Sequence, residues 1–315
     1  MKIGFIGLGK MGRRMVTKLF QENHEVVVWN RSSGPSNELI EECKRLEDGR
    51  GIAGRVSVAK SLADLVEGLP KPRVVWMMLP AGEPTQSMLE TISELLGADD
   101  ILIDGGNANY GDTEKRFSLL KARKIRFLGI GVSGGIIAER QGYPLMVGGN
   151  ASAYEHVKPI LNSLAKPSGG HHYFGTGGAG HFVKMVHNGI EYGIMQSLAE
   201  GFEVLEKAPY KFDMASVARL YQKGTLVSGF MLDRVVEVLE RNPSLADIRG
   251  VIAESGEAQW MIDQAREEAV EVDIISRSLE YRRRSQTDER IQESFTARLV
   301  AAMRNAFGGH DIQMK

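Results

Sequence analysis

Cysteine is almost missing from this chain: Cys43 is the single one in 315 residues. One thiol closes no internal disulfide and builds no multi-cysteine metal site, which points to a reducing, cytoplasmic setting. An excess of charge of either sign is lacking too. The 39 basic and 40 acidic side chains leave a net charge of -1, without the basic surplus that general nucleic-acid binding requires. No apolar run approaches the roughly 18 residues of a membrane span. The apolar opening Met1–Ile6 is interrupted by glycine too early for a signal peptide, so neither nucleic acid nor membrane is an expected partner.

What is present fits a soluble globular protein, with 43% hydrophobic and 25% charged residues. At roughly 150 residues per domain the length accommodates two domains. Of the 36 glycines, 27 lie in residues 1–180, as do eight of the ten prolines. Many tight turns imply many short elements, so strands should alternate with helices there and long helices should follow. Short apolar runs mark buried strands at Lys2–Ile6, Glu25–Trp29, Arg73–Leu79, Ile101–Asp104 and Arg126–Val132, with a further one at Leu145–Val147. Helical patterns separate them at Met11–Gln21, Asn37–Leu46, Thr85–Leu96 and Thr113–Ala122. This alternation reads as a doubly wound sheet.

Beyond Gly180 the pattern is helical. His181–Lys207, apolar at most positions, predicts a helix of roughly 40 Å buried on several sides. Met214–Gln222, Gly229–Asn242, Glu257–Glu271 and Glu289–Ala306 follow, with Phe307–Lys315 as an exposed tail. Arg282-Arg283-Arg284 reads as a solvated helix face, and His171-His172 as an exposed pair beside glycine-rich turns. None of the motifs has metal-ligand spacing.

Three stretches carry chemistry. Gly7-Leu8-Gly9-Lys10-Met11-Gly12 lies between the first strand and the first helix, the context in which GxGxxG binds a dinucleotide pyrophosphate. The second strand ends in Asn30-Arg31-Ser32-Ser33, which lacks the acid that would hold a ribose 2′-hydroxyl and offers a cation and hydroxyls for a 2′-phosphate. NADP is therefore expected over NAD, unless Arg31 is merely exposed. On the long helix, Lys184, Asn188 and Glu191 share one face with His187 alongside. An internal Lys–Glu pair is the plain alternative, but Phe182, Val183, Met185, Val186 and Ile190 do not suit a solvated face.

The glycine-rich start, Asp104-Gly105-Gly106-Asn107-Ala108-Asn109-Tyr110, Gly131-Val132-Ser133-Gly134-Gly135 and His181–Tyr192 together resemble the decarboxylating 6-phosphogluconate dehydrogenases, in their short form. The resemblance implies a Rossmann-like α/β N-terminal domain at 1–178 and an all-α C-terminal domain at 179–315. It implies Lys184 as general base and Glu191 as the acid that protonates C1. Asn107, Ser133, Gly134, Gly135, His187 and Asn188 would hold the sugar acid, and Tyr192 and Arg277 its phosphate. Arg304 and His310 match a tail that reaches a neighbouring subunit's site in the family. Gly7, Leu8, Gly9, Met11, Gly12, Asn30, Arg31, Ser32, Leu79 and Asn107 would line the cofactor. Gln259 stands where long-form members carry a phosphate-contacting lysine. The implied partners are 6-phosphogluconate and a second copy of the chain, as homodimer or homotetramer, in the pentose phosphate route or gluconate utilisation. The main rival is a 3-hydroxyisobutyrate-type dehydrogenase acting on a small unphosphorylated acid, which has no use for Glu191 or phosphate arginines. A cofactor-binding sensor that has lost catalysis would be expected to lack Lys184 or Glu191.

Overall fold

The computed structural model describes residues 1–47 and 54–315. They form two compact units, Met1–Lys184 and Met185–Lys315, divided inside a helix that begins at Ala179.

The first unit is built on eight strands: β1 (Lys2–Ile6), β2 (Glu25–Trp29), β3 (Arg55–Val58), β4 (Val74–Met77), β5 (Ile101–Asp104), β6 (Arg126–Val132), β7 (Pro144–Gly149) and β8 (Gly170–Gly175). Their order is β3-β2-β1-β4-β5-β6-β7-β8, parallel except where β7 pairs antiparallel with β6. Seven helices connect them: α1 (Lys10–Gln21), α2 (Ser33–Glu47), α3 (Leu62–Glu67), α4 (Glu83–Ser93), α5 (Tyr110–Ala122), α6 (Ala138–Gln141) and α7 (Ala151–Ala165).

Alternate strand residues supply two cores. Ile3, Phe5, Val26, Val28, Trp76 and Ile103 pack with Met15, Leu19, Leu39 and Val157 of α1, α2 and α7. Ile6, Val27, Val75, Met77, Leu102 and Phe127 pack with Leu65, Leu89 and Leu120 of α3, α4 and α5. Helices on both faces explain why the central strands read as unbroken apolar runs. This is a Rossmann-like parallel-sheet domain.

Two strands escape that pattern. β3 and β8 are the sheet's edges, with little burial along β3 and an alternating exposed and half-buried pattern along β8. The expected exposed pair His171-His172 lies on β8: His172 is exposed, but His171 is half-buried and bonded to Tyr154 and Asn162. Helix α7 carries Pro159 in its interior, the residue that normally argues against a helix.

The second unit is predominantly helical. Helix α8 (Ala179–Glu206) leads into it, followed by α9 (Met214–Tyr221), α10 (Phe230–Arg241), α11 (Glu257–Glu267), α12 (Asp273–Ser285), α13 (Glu289–Gln292) and α14 (Phe295–Gly308). It is not purely α, because β9 (Ile248–Arg249) pairs antiparallel with β10 (Gln313–Met314). Its core gathers Met195, Phe202, Leu232, Val235, Leu239, Leu299, Val300 and Met303.

Two expectations need correcting here. The single helix over Glu289–Ala306 is two, because Ser294 stops one and caps the next: its hydroxyl donates to the Ile291 carbonyl and accepts from the Ala297 N–H. The tail is not simply exposed, since α14 runs to Gly308, Ile312 packs on the core and β10 is paired. Helix α8 is buried on several sides, as expected, and leaves one stripe open. Ile190, Ile194 and Val204 are exposed at 50%, 47% and 72%, and their spacing puts them on one stripe. No described helix is long and apolar enough to cross a membrane.

Candidate active site

In the first unit, β1 delivers the glycine loop to the N-terminus of α1. Gly7 takes φ +97°, a left-handed conformation, with the Met78 carbonyl so close that a Cβ would sit 2.4 Å from it. A Cβ on Gly12 would meet the Gly7 carbonyl at 2.1 Å, whereas one on Gly9 would meet nothing within 4 Å. Gly9 is also the N-cap of α1 and brings no side chain of its own to that end. The loop is thus tight on its inner side and open at Gly9, which is the cradle that a pyrophosphate on a helix N-terminus requires. Leu79, beyond β4, packs against both Gly7 and Gly106, so it backs the same cradle.

Asn30 turns out to be a brace. Its Oδ1 accepts from the Leu8 N–H at 3.0 Å and its Nδ2 donates to the Ser32 carbonyl and hydroxyl, tying the glycine loop to the turn after β2. Arg31 and Ser32 are exposed on that turn, and Arg31 has no carboxylate at ion-pair distance among the described residues.

At the carboxyl end of β5, Asp104 is fully buried. One of its oxygens accepts from the Gly106 N–H and the other from Arg116, both at 3.0 Å. The carboxylate therefore shapes the Gly105–Asn107 turn and is not a reacting group. Asn107 is exposed beside it. After β6, Ser133 is pinned through its N–H to the Pro144 carbonyl, and Gly134 takes φ +93° to open a short 3-10 turn from Gly135. Lys184 is buried, and a Cβ on Gly131 of β6 would lie 2.3 Å from the Lys184 Cβ. Helix and strand meet there almost backbone to backbone.

The second unit carries the rest of α8. His187 Nδ1 is 3.0 Å from the Asn188 Oδ1 and 3.8 Å from a Glu191 carboxylate oxygen; an Nδ1–H can donate toward both. Asn188 and Tyr192 are buried, and the Tyr192 hydroxyl has no hydrogen-bond partner among the described residues. The Arg282 guanidinium, 2% exposed, stacks on the Tyr192 ring at 3.2 Å. Burial pulls its pKa down to about 10, opposed by Tyr192 and Glu191 and reinforced by Arg304. Arg304 is also buried and lowered by desolvation, with Tyr192, Glu191 and Glu257 acting the other way. Neither arginine has a carboxylate within ion-pair distance among the described residues. Two desolvated cations around one tyrosine are costly on their own and suit a multiply charged anion.

Residues 2–178 match the model of the NAD binding domain of 6-phosphogluconate dehydrogenase, and residues 180–294 match that of its C-terminal domain. The chain belongs to the 6-phosphogluconate dehydrogenase family. It is 35% identical over 316 residues to the Haloferax volcanii protein named 6-phosphogluconate dehydrogenase, NAD(+)-dependent, decarboxylating, covering 100% of this chain and 99% of that one. Among solved structures, it resembles Plasmodium falciparum 6-phosphogluconate dehydrogenase, described in its apo form and in complexes with NADP+ and with 6-phosphogluconate. That match has a TM-score of 0.82 at 28% identity, over 92% of this chain and 63% of that one. Mycobacterium tuberculosis 3-hydroxyisobutyrate dehydrogenase shares the fold at TM-score 0.72 and 19% identity, covering 95% and 97%.

Of the two arginine expectations, the one about the arginine run changes. The Arg277 side chain is 82% exposed and pairs with Glu280 at 3.5 Å. Arg282, expected in a solvated run, is the buried member of that run. Successive helical residues point about 100° apart, so three consecutive arginines cannot share one face. His310 is exposed beyond α14, its carbonyl accepting from Asn305. Gln259 donates to Asp263 one turn along its own helix. Glu257, buried at the start of α11, and His181, buried one turn before Lys184, were not singled out from the sequence. His181 had a signal, since it lies three residues before Lys184 on the same stripe.

Proposed function

We propose that the protein oxidises and decarboxylates 6-phospho-D-gluconate to D-ribulose 5-phosphate and carbon dioxide, reducing NADP. The observation that carries this reading is the pair of buried guanidiniums, Arg282 and Arg304, around Tyr192 on the helix that also bears Lys184 and Glu191. A small unphosphorylated hydroxy acid has no use for two desolvated cations.

The glycine cradle fits a dinucleotide, with Gly7, Leu8, Gly9, Met11 and Gly12 at the pyrophosphate and Leu79 and Asn107 toward the nicotinamide. When bound, NADP supplies the two-electron acceptor for the hydrogen on C3. Lys184, as a neutral amine, accepts the proton of the C3 hydroxyl. Once charged, it hydrogen-bonds the new ketone and stabilises the enediolate left when the β-keto acid loses carbon dioxide. Glu191 then protonates C1. Asn107, Ser133, Gly134, Gly135, His187 and Asn188 orient the sugar acid. Tyr192, Arg282 and Arg304 hold the phosphate, with exposed Arg277 the alternative to Arg282. His310 stays a candidate contributor from the tail.

Exposed Arg31 with Ser32 favours NADP through the 2′-phosphate. The second reading, NAD, is favoured by the lack of a long-range partner fixing Arg31 among the described residues, and by the name of the Haloferax relative. The exposed stripe Ile190, Ile194 and Val204 supports self-association as a homodimer or homotetramer. A cytoplasmic place in the pentose phosphate route or gluconate utilisation completes the proposal.

The test is NADPH and NADH formation at 340 nm with 6-phosphogluconate, in parallel with carbon dioxide release. Equimolar reduction and release supports the reading. Activity on 3-hydroxyisobutyrate with none on 6-phosphogluconate would overturn it.

A further inference from the structure

His181 is fully buried at the start of α8, in the first unit, and has no part in the chemistry above. Its Nδ1 is 2.7 Å from the Thr113 hydroxyl of α5. Its ring lies beside the backbone carbonyls of Gly106 and Ile130. Each of these neighbours stands just before a residue assigned to the site: Gly106 precedes Asn107, Ile130 leads to Gly131 and Ser133, and His181 itself is one turn before Lys184. A Cβ on Gly129 would come within 2.6 Å of Thr113 and 3.0 Å of His181, so the strand carries glycine where the ring and the threonine need the space.

The Thr113 hydroxyl also bonds the Asn109 carbonyl at 3.1 Å, so it joins the ring to the N-terminus of α5, while Nε2 has no hydrogen-bond partner among the described residues. The charged groups facing the ring, Asp104 of β5 and Arg116 of α5, are committed to each other at 3.0 Å. Complete burial favours the neutral imidazole. The neutral ring is thus held by its Nδ1 bond to Thr113 and by packing against Gly129 of β6.

We infer that His181 is a positioning residue: with Thr113 it locks the first turn of α8 against α5 and β6, and so sets where Lys184 stands relative to Asn107 and Ser133. The inference rests on the reading of Lys184 as the base. It requires that breaking the His181–Thr113 link from either end disturb the same step.

Thr113→Val removes the hydroxyl while keeping the shape, and His181→Leu removes its ring partner. His181→Asn restores a polar group near the Nδ1 position. Three quantities are read for each: kcat and its pH profile with 6-phosphogluconate, NADPH affinity by fluorescence, and the rate at which Lys184 is acetylated by acetic anhydride as a function of pH. Thr113→Val and His181→Leu should each lower kcat about 10- to 100-fold. The double variant should be no worse than the worse single one. NADPH affinity should stay within about twofold, and the acetylation profile of Lys184 should shift; these two thresholds mark a local effect. His181→Asn should recover most of kcat. Unchanged kcat and acetylation in Thr113→Val would overturn the inference, as would losses that follow NADPH affinity and resist rescue by Asn. If the wild type does not turn over 6-phosphogluconate, the reading of the reaction fails, and the acetylation profile alone still decides whether His181 and Thr113 position Lys184.

Discussion

Replacing Arg282 with Met tests the phosphate site most directly. The guanidinium is buried on Tyr192 with no carboxylate in ion-pair range among the described residues, so its removal exposes no partner charge. Exchanging an unpaired buried cation for an apolar side chain of similar volume is neutral or stabilising, so Tm should hold or rise. Hydrogen bonds to a charged phosphate are worth about 1.5–3 kcal/mol, which corresponds to a rise of roughly 10- to 100-fold in KM for 6-phosphogluconate. The KM for NADP should not change. Arg277→Met, on an exposed side chain paired only with Glu280, is the matched control and should leave all constants near wild type. A large KM effect from Arg277→Met with none from Arg282→Met would refute the assignment.

Three other outcomes can be checked with the same preparations. Lys184→Met should abolish NADPH formation while NADPH still binds by fluorescence titration, and residual turnover near wild type would remove Lys184 as the base. Arg31→Asp should shift the ratio of NADP to NAD rates toward NAD, because Arg31 is exposed on the turn that Asn30 braces; an unchanged ratio would take Arg31 out of the cofactor site. Ser294→Ala removes the cap of α14 and a hydroxyl that also meets Tyr281. It should cost about 1–2 kcal/mol in urea unfolding with little change in KM.

The central fold was legible because of where it sits. Strands covered by helices on both faces must be apolar at every position, and β1, β2, β5 and β6 run over the expected residues. β3 and β8 were illegible for the complementary reason: an edge strand with a solvated side has no such run, and Arg55–Val58 and Gly170–Gly175 look like loop sequence. In the second unit the apolar period of Glu289–Ala306 gave no hint of its interruption, yet Ser294 had the residue type of an N-cap. The burial of Arg282 was hidden by phase. Arg277 and Arg282 lie on one helix and differ by five residues, about 140° around its axis, and only the packing of Tyr192 decides which of them faces inward.

Gly131 shows how a residue without a side chain can carry part of the chemistry. The sequence marks it as the first residue of the Gly131–Gly135 motif; the structure puts it in contact with Lys184. A methyl group there would lie 2.3 Å from the Lys184 Cβ, 2.9 Å from its Cγ and 3.2 Å from the Gly180 carbonyl. Ordinary contact needs about 3.5–4 Å between carbons, so strand and helix must separate by roughly 1 Å or more. The crowded atoms belong to the stem of the lysine and to backbone, neither of which can swing aside as a side-chain tip would. A misplacement of about 1 Å at a reacting group costs on the order of 100-fold in rate. Gly131→Ala should therefore lower kcat by about that factor while leaving NADP affinity intact, since the pyrophosphate cradle is formed by Gly7–Gly12. Gly12→Ala, where a methyl group would meet the Gly7 carbonyl at 2.1 Å, should do the reverse and weaken NADP binding first. If both alanine variants lost cofactor binding alike, the separation between a cofactor-holding loop and a lysine-setting strand would be wrong.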